Sequence, residues 1–165
     1  MKLNSTLANI ALAAAIFAAP ATVLGGEPAT TIKTVTGDFD DVFGDLQDAV
    51  INRGLVIDYV GDVGKMLERT ADAAKGSDAK APYLNARYLQ FCSAVLTHEA
   101  VGADVHNIAM CPYVVFAYQT RAKPGEVSVG YRQITLAPAA PSQAAQAKVH
   151  ALLQAVVNEA VGANP

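Results

Sequence analysis

Apolar residues recur with two different periods along this chain, and the switches between them predict nine elements. Thr31-Ile-Lys-Thr-Val-Thr36 alternates and is β-branched, as a half-buried strand should be. Gly37-Asp38 then punctuates the chain. Asp38 is placed to cap a helix, with Asp40 and Asp41 in the first turn, where the helix dipole favours negative charge. Phe39, Val42, Phe43, Leu46, Ala49 and Val50 follow at helical spacing, and Gly54 ends that helix. Leu55 to Tyr59 reads as the second strand. Asp62 is expected to cap a second helix through Val63, Met66 and Leu67 to about Ala74. Lys75 to Pro82 reads as a loop, and Tyr83 to Phe91 as a strand. Ser93 to Val101 reads as a short helix, with Gly102 near its end. Tyr113 to Tyr118 is a strong strand. Arg121 to Gly125 is a turn, and Glu126 to Leu136 is the partner strand of a hairpin. Pro138 to Pro141 leads into a last helix, where Val149, Leu152, Leu153, Val156, Val157 and Val161 form one face and Gly162 closes it.

The order β-α-β-α-β-α-β-β-α predicts an α+β domain. The late hairpin requires antiparallel pairing, and the helices should back the sheet mainly on one face.

The start of the chain follows another pattern. Lys2 is the only charge before Glu27, and Leu7 to Ala19 is apolar apart from Asn9. A positive start, an apolar core and small residues after it are the marks of a cleaved export signal. Ala19-Pro-Ala21 and Val23-Leu-Gly25 place cleavage between Ala21 and Gly25. Residues 1–25 are thus an expected signal peptide, and 26–165 a single domain in the periplasm or outside the cell. The apolar run is short for a bilayer span of ~20 residues. No other stretch is apolar enough, so no membrane span is expected after cleavage.

Charge narrows the partners. The formal net charge is −3, and the lysines and arginines are scattered, so there is no basic groove for nucleic acid. There is no tryptophan, which argues against an aromatic sugar platform. No serine nucleophile elbow, phosphate loop or zinc signature occurs. Arg87, Arg121 and Arg132 lie on or beside strands, where long charged side chains commonly face water.

Cys92 and Cys111 carry the candidate chemistry. Two cysteines in an exported chain suggest a disulfide, because Cys92 ends one strand and Cys111 precedes the next. Alternatively they react. Cys92 precedes Ser93 at a helix N-terminus, which favours a thiolate. The spacing is neither C-x-x-C nor C-x-x-C-H. A third reading is ligation. His98, Glu99, His106, Met110 and Cys111 crowd one segment, and an unbroken helix would align Glu99, His106 and Met110. Such donors suit copper or haem iron better than magnesium or calcium. His150 has no obvious partner and is expected at the surface.

Phe91-Cys-Ser-Ala-Val-Leu96, Asn107 to Tyr118 and Pro124 to Arg132 together resemble the bacterial domain-of-unknown-function family 302. Phe39-Asp-Asp-Val-Phe-Gly-Asp-Leu46 and the Arg53-Gly-Leu55 turn fit that family's first helix and second strand. The resemblance spans about residues 30 to 162. Many members have proline before the second cysteine and arginine after it. Here Met110 precedes Cys111 and Pro112-Tyr113 follows, as in the exported, proteobacterial-type branch. The resemblance implies a compact α+β domain, often a homodimer, with Cys92 and Cys111 at its characteristic cysteine positions. It implies no established reaction.

The leading expectation is a non-enzymatic periplasmic protein binding a small ligand, metal or haem. Cys92 and Cys111 would line its site, with His98, His106 or Met110 as metal donors. A thiol-redox protein using the two cysteines as a reactive pair is the alternative. A disulfide-stabilised structural or interaction module is the third.

Overall fold

The computed structural model describes residues 30–73, 81–134 and 139–163. The expected signal peptide and parts of the loops at 74–80 and 135–138 lie outside them. Five strands form one antiparallel sheet: β1 (Thr30–Thr36), β2 (Ile57–Asp62), β3 (Tyr83–Phe91), β4 (Tyr113–Thr120) and β5 (Glu126–Arg132). Their order across the sheet is β1-β5-β4-β3-β2. Four α-helices accompany them: α1 (Phe39–Ile51), α2 (Val63–Arg69), α3 (Ala94–Ala103) and α4 (Ala140–Ala160). Short 3-10 helices follow α2 at Ala71–Ala73 and α3 at Val105–Met110. The element order is the expected one.

Asp38 accepts hydrogen bonds from the backbone N–H groups of Asp40 and Asp41, so α1 starts where its cap dictates. All six apolar positions anticipated for α1 are buried. In α4, Val149, Leu153, Val156 and Val157 are fully buried, while Leu152 and Val161 are partly so. These two helices cover one face of the sheet. They pack on Leu89 and Phe91 of β3, Val115 and Ala117 of β4, and Val127, Val129 and Tyr131 of β5. Because side chains alternate along a strand, the neighbouring residues form the opposite face. Ile32, Gly130, Phe116, Tyr88 and Gly61 make one row across all five strands there. Tyr118 stacks beside Phe116, and Tyr83 meets Tyr118 edge-on.

Several boundaries differ from the sequence reading. The second strand begins at Ile57 rather than Leu55, because Gly54 turns at φ 70° and Leu55 and Val56 lead out of that turn before pairing starts. The strand then runs on to Asp62, whose carboxylate also caps α2 through Lys65 N–H at 2.8 Å. α2 stops at Arg69, and the fourth strand extends to Thr120.

Arg87 does not face water. It lies on the helix side, pairs with Asp40 at 2.7 Å and Asp62 at 3.6 Å, and sits over the Phe39 and Phe43 rings. His150 is likewise half-buried. Its Nε2 lies 3.1 Å from the Ile134 carbonyl, and its ring is against Tyr131. No helix among the described residues is long and apolar enough to cross a membrane.

A disulfide-walled cleft as the candidate functional site

Cys92 leaves β3 and Cys111 enters β4. Phe91, just before Cys92, and Tyr113, two residues after Cys111, are cross-strand partners with rings edge-to-face at 5.7 Å. That pairing brings the cysteine Cα atoms to 5.7 Å, and the two sulfurs are bonded. The separation is within the span that a disulfide requires. Between them, α3 and the following 3-10 helix make a loop over the end of the sheet.

Ser93 caps α3, its Oγ accepting from Leu96 N–H at 3.4 Å. The far side of the loop is anchored on α4. Asn107, itself buried, donates to the Ala100 carbonyl and to Ser142 Oγ, both at 2.9 Å. Lys148 pairs with Glu99. The near side of the loop faces the α1–β2 turn and leaves a cleft of about 450 Å³. Leu55, Val56, Val101 and Ile108 supply its apolar walls, and both cysteines line it. Val56 and Ile108 are 73 % and 60 % exposed, so apolar surface reaches the mouth.

Asp58 and His98 are the titratable groups in the lining. Asp58 sits where the register slips: Ile57 opposes Phe91 but Tyr59 opposes Gln90, leaving Asp58 as the extra residue of a bulge. The slip also carries Tyr59 to the open face, against Tyr88. Thr97, also in the lining, and Tyr113 behind it have buried hydroxyls with no partner at hydrogen-bonding geometry among the described residues. Burial pushes the Tyr113 phenol above its ordinary value, offset in part by the Thr97 hydroxyl and the Ser93 backbone beside it.

The residues anticipated as metal donors differ in their surroundings. Met110 is 2 % exposed and belongs to the hydrophobic core. His106 is exposed on the 3-10 helix, and His98 lies on the cleft rim. The helix breaks at Asp104, which caps the 3-10 helix through His106 N–H. Glu99, His106 and Met110 therefore do not share a helix face. Among the described residues, no three His, Cys, Asp or Glu side chains are grouped to hold a metal ion. Sequence reasoning missed Val56, Asp58 and Thr97. The glycine turn at Gly54 was visible, but nothing local shows that it faces α3.

A five-stranded antiparallel sheet with helices over one face, and a bridge joining β3 to β4, defines the class of this α+β domain. The chain belongs to DUF302, a family described as a domain of unknown function, whose profile matches residues 31–160. Its fold is shared with the crystal structure of an uncharacterized conserved DUF302 protein from Bacillus stearothermophilus. The TM-score is 0.63 at 15 % identity, over 80 % of this chain and 98 % of that one. No functionally curated protein matches the chain.

Proposed function

We propose that the protein is an exported, non-enzymatic binding domain that takes a small, mainly apolar ligand in the cleft beside the disulfide. One observation carries this reading. The cleft has apolar walls and the Cys92–Cys111 bridge in one lining. An apolar pocket with few polar groups is the general form of a small-molecule site. A small molecule fits these residues better than copper or haem, because both cysteine sulfurs are joined to each other and Met110 is in the core.

The test is titration of the purified protein with N-phenyl-1-naphthylamine. Saturable binding is expected, and Val56→Asp with Ile108→Asp should weaken it at least tenfold without unfolding the domain. No saturable binding, or binding that ignores both changes, rejects the cleft. Export is checked on the same protein. The mass of the chain from the periplasm should correspond to a start between residues 22 and 26, and an unprocessed cytoplasmic chain would reject it.

A redox role is favoured by one feature, the partial exposure of the bridge on a cleft wall. It expects the bridge to exchange readily with small dithiols. The homodimer implied by the resemblance is checked by sedimentation.

A further inference from the structure

The cleft carries an electrostatic asymmetry that its apolar walls do not explain. Asp58 is exposed on the bulge of β2 and lines the cleft, yet it makes no ion pair or hydrogen bond among the described residues. Three cations on other elements are engaged elsewhere. Arg53, next to the Gly54 turn, donates to the Ala49 carbonyl and pairs with Glu159. Lys148 is held by Glu99, and Arg132 donates to the Pro112 carbonyl. Among the described residues, no lysine or arginine is in the lining.

Beside Asp58 the lining holds the His98 imidazole and the start of α3, at Ala94. A helix N-terminus is equivalent to about half a unit charge. Here it is further met by the Ser93 cap. The full charge of a carboxylate outweighs it.

Resting on the cleft reading above, we infer that its ligands carry a protonated amine on an apolar body, with Asp58 meeting the charge. The apolar body occupies the Leu55, Val56, Val101 and Ile108 walls. The ammonium lies at the Asp58 side of the mouth. An anionic head group is disfavoured there by the same carboxylate.

Three probes of one chain length separate the effects: octylammonium, octanol and octanoate, each displacing N-phenyl-1-naphthylamine near neutral pH and low ionic strength. Octylammonium should bind about two- to fivefold more tightly than octanol, the size expected of an exposed charge pair. Octanoate should bind more weakly than octanol. Asp58→Asn should bring octylammonium to the affinity of octanol and leave octanol unchanged. Added salt should narrow the gap in the native protein alone, which tests the charge effect without a variant. Octanoate binding as tightly as octylammonium, or an order that Asp58→Asn and salt leave intact, overturns the inference while the cleft stands. If none of the three probes displaces the dye, the cleft reading fails and takes the inference with it.

Discussion

Gly61 and Gly130 are small because of what lies across from them. They sit in the same row of the open face, on either side of Tyr88 and Phe116. A Cβ on Gly61 would come within 2.2 Å of Tyr88 Cε1 and 2.3 Å of its Cζ. One on Gly130 would press on the Thr31 carbonyl and come within 2.9 Å of Phe116 Cζ. A backbone oxygen in a paired strand has little room to retreat. Gly130→Ala should therefore destabilise the fold by about 1–3 kcal/mol, as overpacking does. Gly44 is the opposite case, lying inside α1 with nothing within 4 Å of where an added methyl group would stand. Gly44→Ala should stabilise by about 0.5–1 kcal/mol, by removing backbone freedom from the unfolded chain. Urea denaturation of the two variants checks both signs. Asp38→Ala, which removes the α1 cap, should cost about 1 kcal/mol in the same assay. The α1 cap and apolar stripe were legible in the sequence because their partners are within four residues. The requirement for glycine at 61 and 130 was not, because it is set by strands elsewhere in the chain.

Between elements, two ties can be broken separately. The end of α1 is fastened to the end of α4, where Asn52 and Arg53 both reach Glu159. The Asn52 amide, and then the Arg53 guanidinium, hold the Glu159 carboxyl below its ordinary 4.5. A carboxyl lowered on folding contributes stability above its unfolded pKa and loses it as pH falls through the folded value. The tie should thus be complete above about pH 4.5 and weaken below it. Glu159→Gln should flatten the acid limb of the urea midpoint against pH, and a limb as steep as the native one would contradict this. The second tie is the bridge. Replacing Cys92 and Cys111 together by serine should lower stability by roughly 3 kcal/mol on the chain-entropy model, seen as a fall in Tm. Element order was readable here because each element has its own hydrophobic period. The alignment of Glu99 with His106 and Met110 was not, because it assumed a helix that Asp104 ends by capping the next turn. His150 was misplaced for a related reason, since Ile134 and Tyr131 reach it from a different element.

For the molecule as a whole, the antiparallel class followed from the hairpin of β4 and β5, whose turn residues are contiguous. The place of β1 did not follow, because nothing in Thr30–Thr36 names β5 as its partner. The cleft was hidden for the same reason. Its two walls, the α1–β2 turn and the segment from Cys92 to Cys111, meet only after the sheet has formed. The bridge was one of three readings of the cysteines, since both fall at the ends of adjacent strands.

The strand order also dictates a sequence of events during synthesis. Neighbours β2, β3, β4 and β5 succeed one another along the chain, so each can pair with the one before it as the chain emerges. The first strand made must wait for the last, because β1 pairs only with β5. Distant pairings carry the larger closure entropy and form late. A released chain truncated at Thr120 should leave Thr30–Thr36 open to protease, and one extending past Ala160 should protect it. Early protection of that strand would mean that another surface shelters it in the meantime.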